Sequence, residues 1–470
     1  MNADIGVVGM AVMGQNLALN MERKGFVVAV YNRTRKRTED LVAGRGKGRR
    51  FIPCYDLEAF VSSLARPRKV LLMVKAGQAT DAVLKELFPL LEPGDVVMDG
   101  GNSHFLDTER RLAEAERRGL LYLGVGISGG EHGALHGPAI MPGGHREGYA
   151  IVEDILAKTA AQGPQGSCCA FLGPGSAGHY VKMVHNGIEY AIMQALAECY
   201  DLMKRGLSMA PREMADVFAT WNGGELSGYL LEITERILRH VDPDTGRPLV
   251  ELIRDTAQQK GTGKWSTQAA LDEGTCAPTI AAAVFARTVS ALKEERRAAA
   301  GVLPGPSPEI REERGGVLEE LFGALYLTIV AAYAQGFRQL GDASRERGYD
   351  LSLAEVARVW MDGCIIRSRL LVPMRTAFME NPDLPLLFLA LPFASRWREH
   401  HGALRATVMR AHRVGIPVPA MGSALDFLDA YRTERLPANL IQAHRDFFGA
   451  HTYERVDRPG VFHTDWESAP

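Results

Sequence analysis

The sequence has few cysteines, and none of them has the spacing of a redox pair or a zinc site. Six cysteines occur in 470 residues, and no two form a C-x-x-C pair. A chain of this length can bury enough apolar surface to fold without disulfides, so a reducing, cytoplasmic location is expected. The cysteines therefore give no support to a disulfide scaffold or a structural metal.

Excess charge and long apolar runs are also lacking. Lysine and arginine number 54 and aspartate and glutamate 56, for a formal net charge of -2. Without an overall basic field, a nucleic-acid partner is not expected. No uninterrupted apolar run reaches the roughly 18 residues of a membrane span. The sequence also begins with a strand-like segment instead of a signal peptide, so no membrane partner is expected either.

The first 175 or so residues alternate between short apolar runs and helical patterns. Residues 15–24 are predicted to be helical, and strands are predicted at residues 4–8, 26–31, 69–74, 95–98 and 121–125. Such alternation is typical of an α/β Rossmann domain with a doubly wound, mostly parallel sheet, whose loops bind ligands at one edge. From about residue 178 the pattern is all-helical, with a last helix at 439–448 and an irregular polar tail.

A glycine-rich turn follows the first predicted strand. It reads Gly9-Met10-Ala11-Val12-Met13-Gly14, a G-x-A-x-x-G sequence at the start of a helical pattern. Glycines allow a tight turn there, and the N-terminus of the helix favours a pyrophosphate. The motif alone also fits a plain glycine turn, but its position between strand and helix favours a dinucleotide site.

The end of the second predicted strand indicates which dinucleotide binds. An acid at this place holds the ribose hydroxyls of NAD, whereas this chain has Asn32-Arg33-Thr34. An arginine there suits the 2′-phosphate of NADP. The alternative is that Arg33 belongs to a solvated, basic start of the next helix.

Three more loops follow predicted strands and are expected at the same edge. Each alone could be a simple turn, although glycine pairs expose backbone N–H groups that bind anions. The loops are Val74-Lys75-Ala76, Gly100-Gly101-Asn102-Ser103 and Ser128-Gly129-Gly130.

A predicted helix over residues 179–193 is largely apolar but has one polar face. Lys182, His185, Asn186 and Glu189 are spaced i, i+3, i+4 and i+7, which places them on one side. Unpaired charge is costly to bury, so this face should meet water, a ligand or a neighbouring domain. Gly187 on the same helix predicts a close approach to its backbone.

Motifs along nearly the whole chain resemble 6-phosphogluconate dehydrogenase, the decarboxylating NADP-dependent family of the pentose phosphate pathway and gluconate utilization. The resemblance begins with the glycine-rich turn and the loops above. It continues with Lys182-Met183-Val184-His185-Asn186-Gly187-Ile188-Glu189-Tyr190, Gln259-Lys260-Gly261-Thr262-Gly263-Lys264-Trp265, Val284-Phe285-Ala286-Arg287, Gly363-Cys364-Ile365-Ile366-Arg367-Ser368 and Arg445-Asp446-Phe447-Phe448-Gly449-Ala450-His451.

The resemblance implies a role for each matching residue. Lys182 would be the general base and Glu189 the general acid. The cofactor would meet the glycine-rich turn, Asn32, Arg33, Thr34, Val74, Lys75, Ala76 and Asn102. The substrate 6-phosphogluconate would meet Asn102, Ser128, Gly129, Gly130, His185, Asn186, Tyr190, Lys260, Arg287, Arg445 and His451.

The resemblance also implies three parts and a homodimer. Residues 1–177 would bind NADP, residues 178–435 would form the helical substrate and dimerisation domain, and residues 436–470 would reach into the partner subunit. The last part carries Arg445 and His451, so the site would be complete only in the dimer.

A few positions depart from the family pattern. His132 and His136 stand where a glutamate and a larger or basic residue are expected, and Ala139 where a serine is common. Met361 and Asp362 replace an expected Arg-Gly pair. None removes an assigned role, but together they predict altered substrate affinity.

The chemistry can also be derived from the residues. Oxidising a hydroxyl beta to a carboxylate gives a beta-keto acid, and one lysine can accept the hydroxyl proton and return it to the ketone. This requires a lysine pKa below about 10.4, expected from burial and from Lys260 or Arg287 nearby. No acid–histidine cluster has ligand spacing, so metal independence is predicted. A non-decarboxylating hydroxyacid dehydrogenase and a non-catalytic NADP-binding regulator are the alternatives.

Overall fold

A computed structural model describes residues 2–259 and 261–467 of the chain. The chain divides into two compact units, Met1–Ser423 and Ala424–Pro470. Each unit is described separately below. The predicted domain limits at residues 177/178 and 435/436 stay predictions.

The first unit begins with a seven-stranded sheet of order β3-β2-β1-β4-β5-β6-β7. Strands β1 to β6 are parallel to their neighbours, and β7 is antiparallel to β6. The predicted doubly wound, mostly parallel sheet is therefore confirmed. The strands are β1 Ile5–Val8, β2 Val28–Tyr31, β3 Phe51–Cys54, β4 Lys69–Leu72, β5 Val96–Asp99, β6 Leu121–Ser128 and β7 Ala139–Gly144.

Strands β3 and β7 were not predicted from the sequence, and each contains a proline. Pro53 lies in β3, which is the edge strand where a missing N–H is tolerated. In β7 the sequence Pro142-Gly143-Gly144 has the composition of a turn, yet it pairs in register with β6. Tertiary pairing overrides local propensity in both strands.

Helices alternate with these strands and cover both faces of the sheet. Two separate clusters of buried apolar side chains lie against it. The helices are α1 Val12–Arg23, α2 Arg35–Ala43, α3 Leu57–Ser62, α4 Gln78–Leu87, α5 Phe105–Glu116, α6 Gly130–His136 and α7 Arg146–Thr159, followed by the two-residue strands β8 Gln162–Gly163 and β9 Gly166–Ser167.

The register of the sheet aligns the carboxyl ends of the strands that precede the candidate loops. Val8 is paired with Tyr31 on one side and with Leu72 on the other. Leu72 is in turn paired with Asp99. The loops that follow β1, β2, β4 and β5 therefore begin side by side, as the sequence predicted.

The remainder of the first unit is helical. The helix predicted at residues 179–193 is longer than expected and continues into a π-helical turn, Leu202–Gly206. The helices are α8 Ala177–Asp201, α9 Pro211–Asn222, α10 Tyr229–Arg239, α11 Thr262–Asp272, α12 Pro278–Ala291, α13 Lys293–Val302, α14 Arg314–Arg347, α15 Leu353–Val359, α16 Leu371–Glu380, α17 Leu391–Arg413 and α18 Pro419–Tyr431, which extends past Ser423.

Helix α8 links the sheet to the helices that follow, since it packs on β6 and β7 and on α11, α12 and α14. Glycines allow this close packing. A Cβ on Gly126 of β6 would lie 2.4 Å from the Lys182 Cβ, and one on Gly187 would lie 2.6 Å from the Ser266 Oγ. The close approach predicted at Gly187 is therefore made by a side chain of α11.

One helix, α14, is long and apolar enough to cross a membrane by length and composition alone. The mean hydropathy of its most apolar window is 1.5, and 78% of that window is buried inside the protein. The search for uninterrupted apolar runs in the sequence did not detect this helix, because Thr328 and Gln335 interrupt its apolar stretch. Its burial is that of a core helix packed against α8 and α17.

The second unit is small and more ordered than the predicted irregular tail. It contains α19 Ala438–Gly449 and a hairpin of β10 Tyr453–Glu454 and β11 Val461–Phe462. The buried carboxylate of Asp446 accepts hydrogen bonds from the Thr452 N–H (2.9 Å), the Thr464 N–H (3.1 Å) and the Trp466 indole (2.8 Å). A buried acid with several donors can organise a segment that has little apolar core of its own.

Candidate active site

The glycine-rich turn adopts a geometry that only glycine permits. Gly9 has a φ of 103°, and a Cβ there would lie 2.5 Å from the Met73 carbonyl oxygen. A Cβ on Gly14 would lie 1.8 Å from the Gly9 oxygen. Helix α1 begins at Val12, inside the motif, so its free N–H groups face the turn.

Asn32 closes this turn, and Arg33 projects from it. The Met10 N–H donates to the Asn32 Oδ1 (3.0 Å), while the Asn32 amide donates to the Thr34 carbonyl (3.0 Å). Arg33 is exposed, and no ion pair holds it among residues 2–259 and 261–467. In contrast, Arg35 is paired with Glu39 at 2.7 Å. Arg33 is thus available to an external anion.

The loops after β4 and β5 complete this edge of the sheet. Val74, Lys75 and Ala76 follow β4, and the side chain of Lys75 is exposed. Asn102, also exposed, lies in the loop after β5. The buried Asp99 shapes that loop, because its carboxylate accepts hydrogen bonds from the Gly101 N–H (3.0 Å) and from the Ser103 hydroxyl (2.7 Å).

Asp99 is a supporting residue that the sequence reasoning missed. Arg111 is 3.1 Å from its carboxylate, and the ring of His179 at the start of α8 is 3.0 Å from its carbonyl oxygen. His179 is 2.6 Å from Thr108 through its other nitrogen. An acid at the end of an apolar strand was the available signal, since burial of such a charge requires partners.

The polar face of α8 forms a connected group of side chains. The Lys182 ammonium lies 2.6 Å from the Asn186 Oδ1 and 3.4 Å from the His185 Nδ1. The His185 Nε2 is 3.1 Å from the Ser128 hydroxyl, and its Nδ1 is 3.9 Å from the Glu189 carboxylate. The structure therefore brings five predicted site residues together at the end of β6.

Burial differs along this face. Lys182 is 6% exposed and His185 is fully buried, whereas the Glu189 side chain is 22% exposed. The carboxylate of Glu189 therefore lies at the more accessible end of the group.

The protein shifts the pKa values of the three ionisable groups toward their neutral forms. Burial lowers the pKa of Lys182, and the charge of Glu189 opposes that shift. Burial also lowers the pKa of His185 well below its usual value and raises the pKa of Glu189. The predicted direction for Lys182 is confirmed, but the neighbours that act on it within the described residues, Glu189 and Cys364, raise its pKa. Arg287 acts on Glu189 instead.

Ser128, Gly129 and Gly130 connect the end of β6 to α6. The Ser128 oxygen accepts the Ile365 N–H at 3.3 Å. Gly129 has a φ of 139°, and a Cβ there would lie 2.3 Å from the Gly363 oxygen. The predicted loop is thus held against the Gly363 segment, which the sequence also singled out.

Tyr190 and Arg287 contact each other on the side of α8 that faces α12. The Arg287 guanidinium lies 3.3 Å from the centre of the buried Tyr190 ring. Gly263 permits that arrangement, because a Cβ there would lie 2.6 Å from the same ring. Lys260, predicted beside them, lies outside the described residues.

Arg445 and His451 belong to the second unit and lie near each other there. The His451 N–H donates to the Arg445 carbonyl at 3.5 Å, across the end of α19. Both side chains are exposed, and the Arg445 guanidinium donates to Gln442 at 3.0 Å. An arginine and a histidine are therefore both exposed near the end of α19.

Comparison with known proteins places these features in one family. A family model described as the C-terminal domain of 6-phosphogluconate dehydrogenase matches residues 178–466, and its NAD binding domain matches residues 4–173. The chain belongs to the 6-phosphogluconate dehydrogenase family. The resemblance noted in the sequence is thereby confirmed.

Individual family members are similar over almost their full length. The decarboxylating 6-phosphogluconate dehydrogenase of Synechococcus elongatus is 51% identical over 464 residues, and the NADP(+)-dependent one of Bacillus subtilis is 49% identical over 463. Both matches cover 98% of each chain. The Plasmodium falciparum 6-phosphogluconate dehydrogenase, solved with NADP+ and with 6-phosphogluconate, has a TM-score of 0.95 and 41% identity, covering 98% of this chain and 100% of that one.

Proposed function

We propose that this chain catalyses the NADP-dependent oxidative decarboxylation of 6-phosphogluconate to ribulose 5-phosphate and CO2, without a metal ion. The observation that carries the proposal is the buried polar face of α8, where Lys182 has a lowered pKa beside Asn186, His185 and Glu189. Family membership supports the substrate and the cofactor.

The residues at the sheet edge fit NADP. Gly9 and Gly14 allow the tight turn that leads into α1, whose N-terminus would bind the pyrophosphate. Arg33 is exposed and forms no ion pair with the part of the chain that the structure describes, which suits a contact with the 2′-phosphate, and Asn32 and Thr34 lie beside it. When bound, NADP accepts a hydride from the carbon that bears the substrate hydroxyl.

Lys182 is proposed to act on the substrate oxygen in both the oxidation and the decarboxylation. As a neutral amine it accepts the hydroxyl proton while the hydride leaves the carbon, which produces a beta-keto acid. The resulting ammonium then donates its proton to the ketone oxygen as the carboxylate leaves as CO2, so that an enediol forms. Burial favours the neutral amine that the first step needs.

Glu189 is proposed to complete the reaction. Its raised pKa keeps a proton available on a side chain that is 22% exposed, at the accessible end of the polar face. That proton passes to the enediol carbon while the Lys182 amine, neutral again after the decarboxylation, removes the proton of the enediol hydroxyl, and the ketose forms. Ser128 and Asn186 would hold the sugar acid through hydrogen bonds, with Gly129 and Gly130 leaving space for it.

The phosphate group of the substrate is proposed to contact basic side chains. Arg287, stacked on Tyr190, supplies a planar donor, and Lys260 is proposed beside it from the family pattern. Arg445 and His451 are proposed to reach the phosphate of the partner subunit's site in a homodimer. Exposed apolar side chains on the same unit support an assembly role, with Ile441 62% and Phe448 72% exposed.

Metal independence has its own rationale in the lysine chemistry. Many decarboxylating dehydrogenases polarise the ketone with a metal ion, a role that the Lys182 ammonium can fill here. Within residues 2–259 and 261–467, no group of three or more His, Cys, Asp or Glu side chains is placed to hold a metal. The polarisation that the proposal needs is assigned to the Lys182 ammonium.

A stoichiometric assay tests this function. Purified protein with NADP and 6-phosphogluconate should form NADPH and CO2 in equal amounts, and at the same rate after treatment with a chelator. NADPH without CO2 would favour the non-decarboxylating hydroxyacid dehydrogenase. Activity that is lost in chelator and restored by Mg2+ would contradict the metal-free mechanism.

A further inference from the structure

Three residues that the sequence singled out line one pocket. His132 and His136 of α6 and Asp362, which precedes the Gly363 segment, border a space of about 310 Å3. The rings of His132 and His136 have their centroids 4.4 Å apart. Residues that are far apart in the sequence are thus grouped on one surface, outside the polar face of α8.

The two histidines have the spacing of a chelating pair. They are four residues apart on one helix, which places both rings on the same face. Two histidines at i and i+4 form the helical part of known zinc sites. Both side chains are exposed, so solvent and ions can reach their nitrogens.

We propose that His132 and His136 form a surface site for a divalent transition-metal ion such as Zn2+, Ni2+ or Cu2+. Imidazole suits these ions, whereas Mg2+ prefers oxygen ligands. The described residues contain no preformed set of three protein ligands. The two imidazoles therefore bind the ion, and water fills the remaining positions.

The charges around the pocket limit the strength of this site. Arg367 lines the pocket, where it lies 3.0 Å from Glu232 and 3.9 Å from Asp362. A guanidinium repels a cation, so we expect micromolar or weaker binding.

This site is independent of the proposed reaction. The chemistry assigned to Lys182 and Glu189 uses no metal, and neither His132 nor His136 has a role in it. A binding measurement therefore tests the site without relying on the proposed activity.

The test is a titration of the full chain with Zn2+, in competition with a chromophoric chelator at pH 7.5. Wild-type protein should bind one equivalent that the double variant His132→Gln/His136→Gln binds at least about tenfold more weakly. His240→Gln, which replaces an exposed histidine elsewhere, is the matched control and should bind as wild type does.

Cu2+ provides a second readout that reports the ligands directly. The electron paramagnetic resonance spectrum of the wild-type complex should show nitrogen coupling that disappears in the double variant. Melting curves without metal verify that the variants fold. Equal Zn2+ affinity in wild type and double variant, or a Cu2+ spectrum that does not change, would overturn the proposal.

Discussion

The polar face of α8 and the exposed Arg445 of the second unit differ in how far their charged side chains are buried. Lys182 is 6% exposed, and neighbours on its own helix hold it in place. Arg445 is exposed and is bonded to Gln442, a neutral partner one turn away. Burial shifts a pKa and so prepares a group for proton transfer, whereas an exposed guanidinium keeps its charge for an anion. The comparison predicts a chemical role for the first region and a binding role for the second.

Replacing Lys182 should have the largest effect. Lys182→Ala removes the proposed base, so kcat should fall by about 100- to 10,000-fold while NADP still binds. Fluorescence titration of NADP and steady-state kinetics would measure the two properties. Lys158→Ala, at an exposed lysine of α7, is the control and should leave both unchanged. Near-normal turnover in Lys182→Ala would remove the α8 polar face from the mechanism.

The second prediction asks whether the two regions act within one chain. Lys182→Ala and Arg445→Ala proteins, each weakly active, are mixed and allowed to exchange subunits. If the tail serves the partner, each mixed dimer has one intact site, so the mixture should approach about one quarter of wild-type activity.

Each parent mixed with itself is the control for that experiment. A label on one parent shows by mass or fluorescence that exchange has taken place. Exchange without a rise in activity would mean that Arg445 serves the site of its own chain, and the proposed swap would fail.

The same comparison shows what the sequence could predict about the site. The spacing of Lys182, His185, Asn186 and Glu189 was sufficient to place them on one face, because helical periodicity is a local property. It did not reveal that Ser128 joins them at 3.1 Å from His185, since that contact depends on how α8 packs on β6. Residue spacing predicts which side chains share a face of one helix, but it does not predict which other element packs against that face.

The features of the fold that the sequence did not predict also depend on contacts between separate elements. Alternating patterns predicted the parallel sheet, but the prolines of β3 and β7 concealed two strands that tertiary pairing stabilises. The buried acid Asp99 was likewise missed, because its value lies in contacts with Arg111 and His179 from other elements. Long-range partners of single polar residues leave little trace in local sequence.

A third prediction concerns Arg33, an exposed cation like Arg445. Arg33→Glu should weaken NADP binding by about 10- to 100-fold, the range of a lost charge-assisted hydrogen bond, and NAD binding much less. KM and Kd for both cofactors would measure this preference. Arg117→Glu, at an exposed arginine directly after the end of α5, is the matched control. An equal loss for both cofactors would place Arg33 away from the 2′-phosphate.

Helix α8 carries another buried acid near its C-terminus. This acid shows the effect of burial on a group that has no proposed catalytic role. Glu198 accepts hydrogen bonds from the N–H groups of Ala420 (2.7 Å) and Met421 (3.0 Å) at the start of α18. Burial raises its pKa to about 7 despite these bonds. Unlike Lys182, it has no role in the proposed reaction, so its ionisation should affect stability alone.

The smallest predicted effect is therefore a pH dependence of unfolding. An unfolded glutamate has a pKa near about 4.3, so between that value and about 7 the folded state holds a proton that the unfolded state releases. Stability contributed by Glu198 then decreases as pH rises through this window and is constant above it. Glu198→Gln removes this titration. From pH 5 to pH 8 the melting temperature of the variant should therefore decrease less than that of the wild type. The two decreases should differ by roughly 2 °C or less for each kcal/mol that the ionisation of Glu198 contributes. Glu86→Gln, at an exposed glutamate of α4, should follow the wild-type curve. Parallel curves for wild type and Glu198→Gln would mean that the ionisation of Glu198 is not linked to folding.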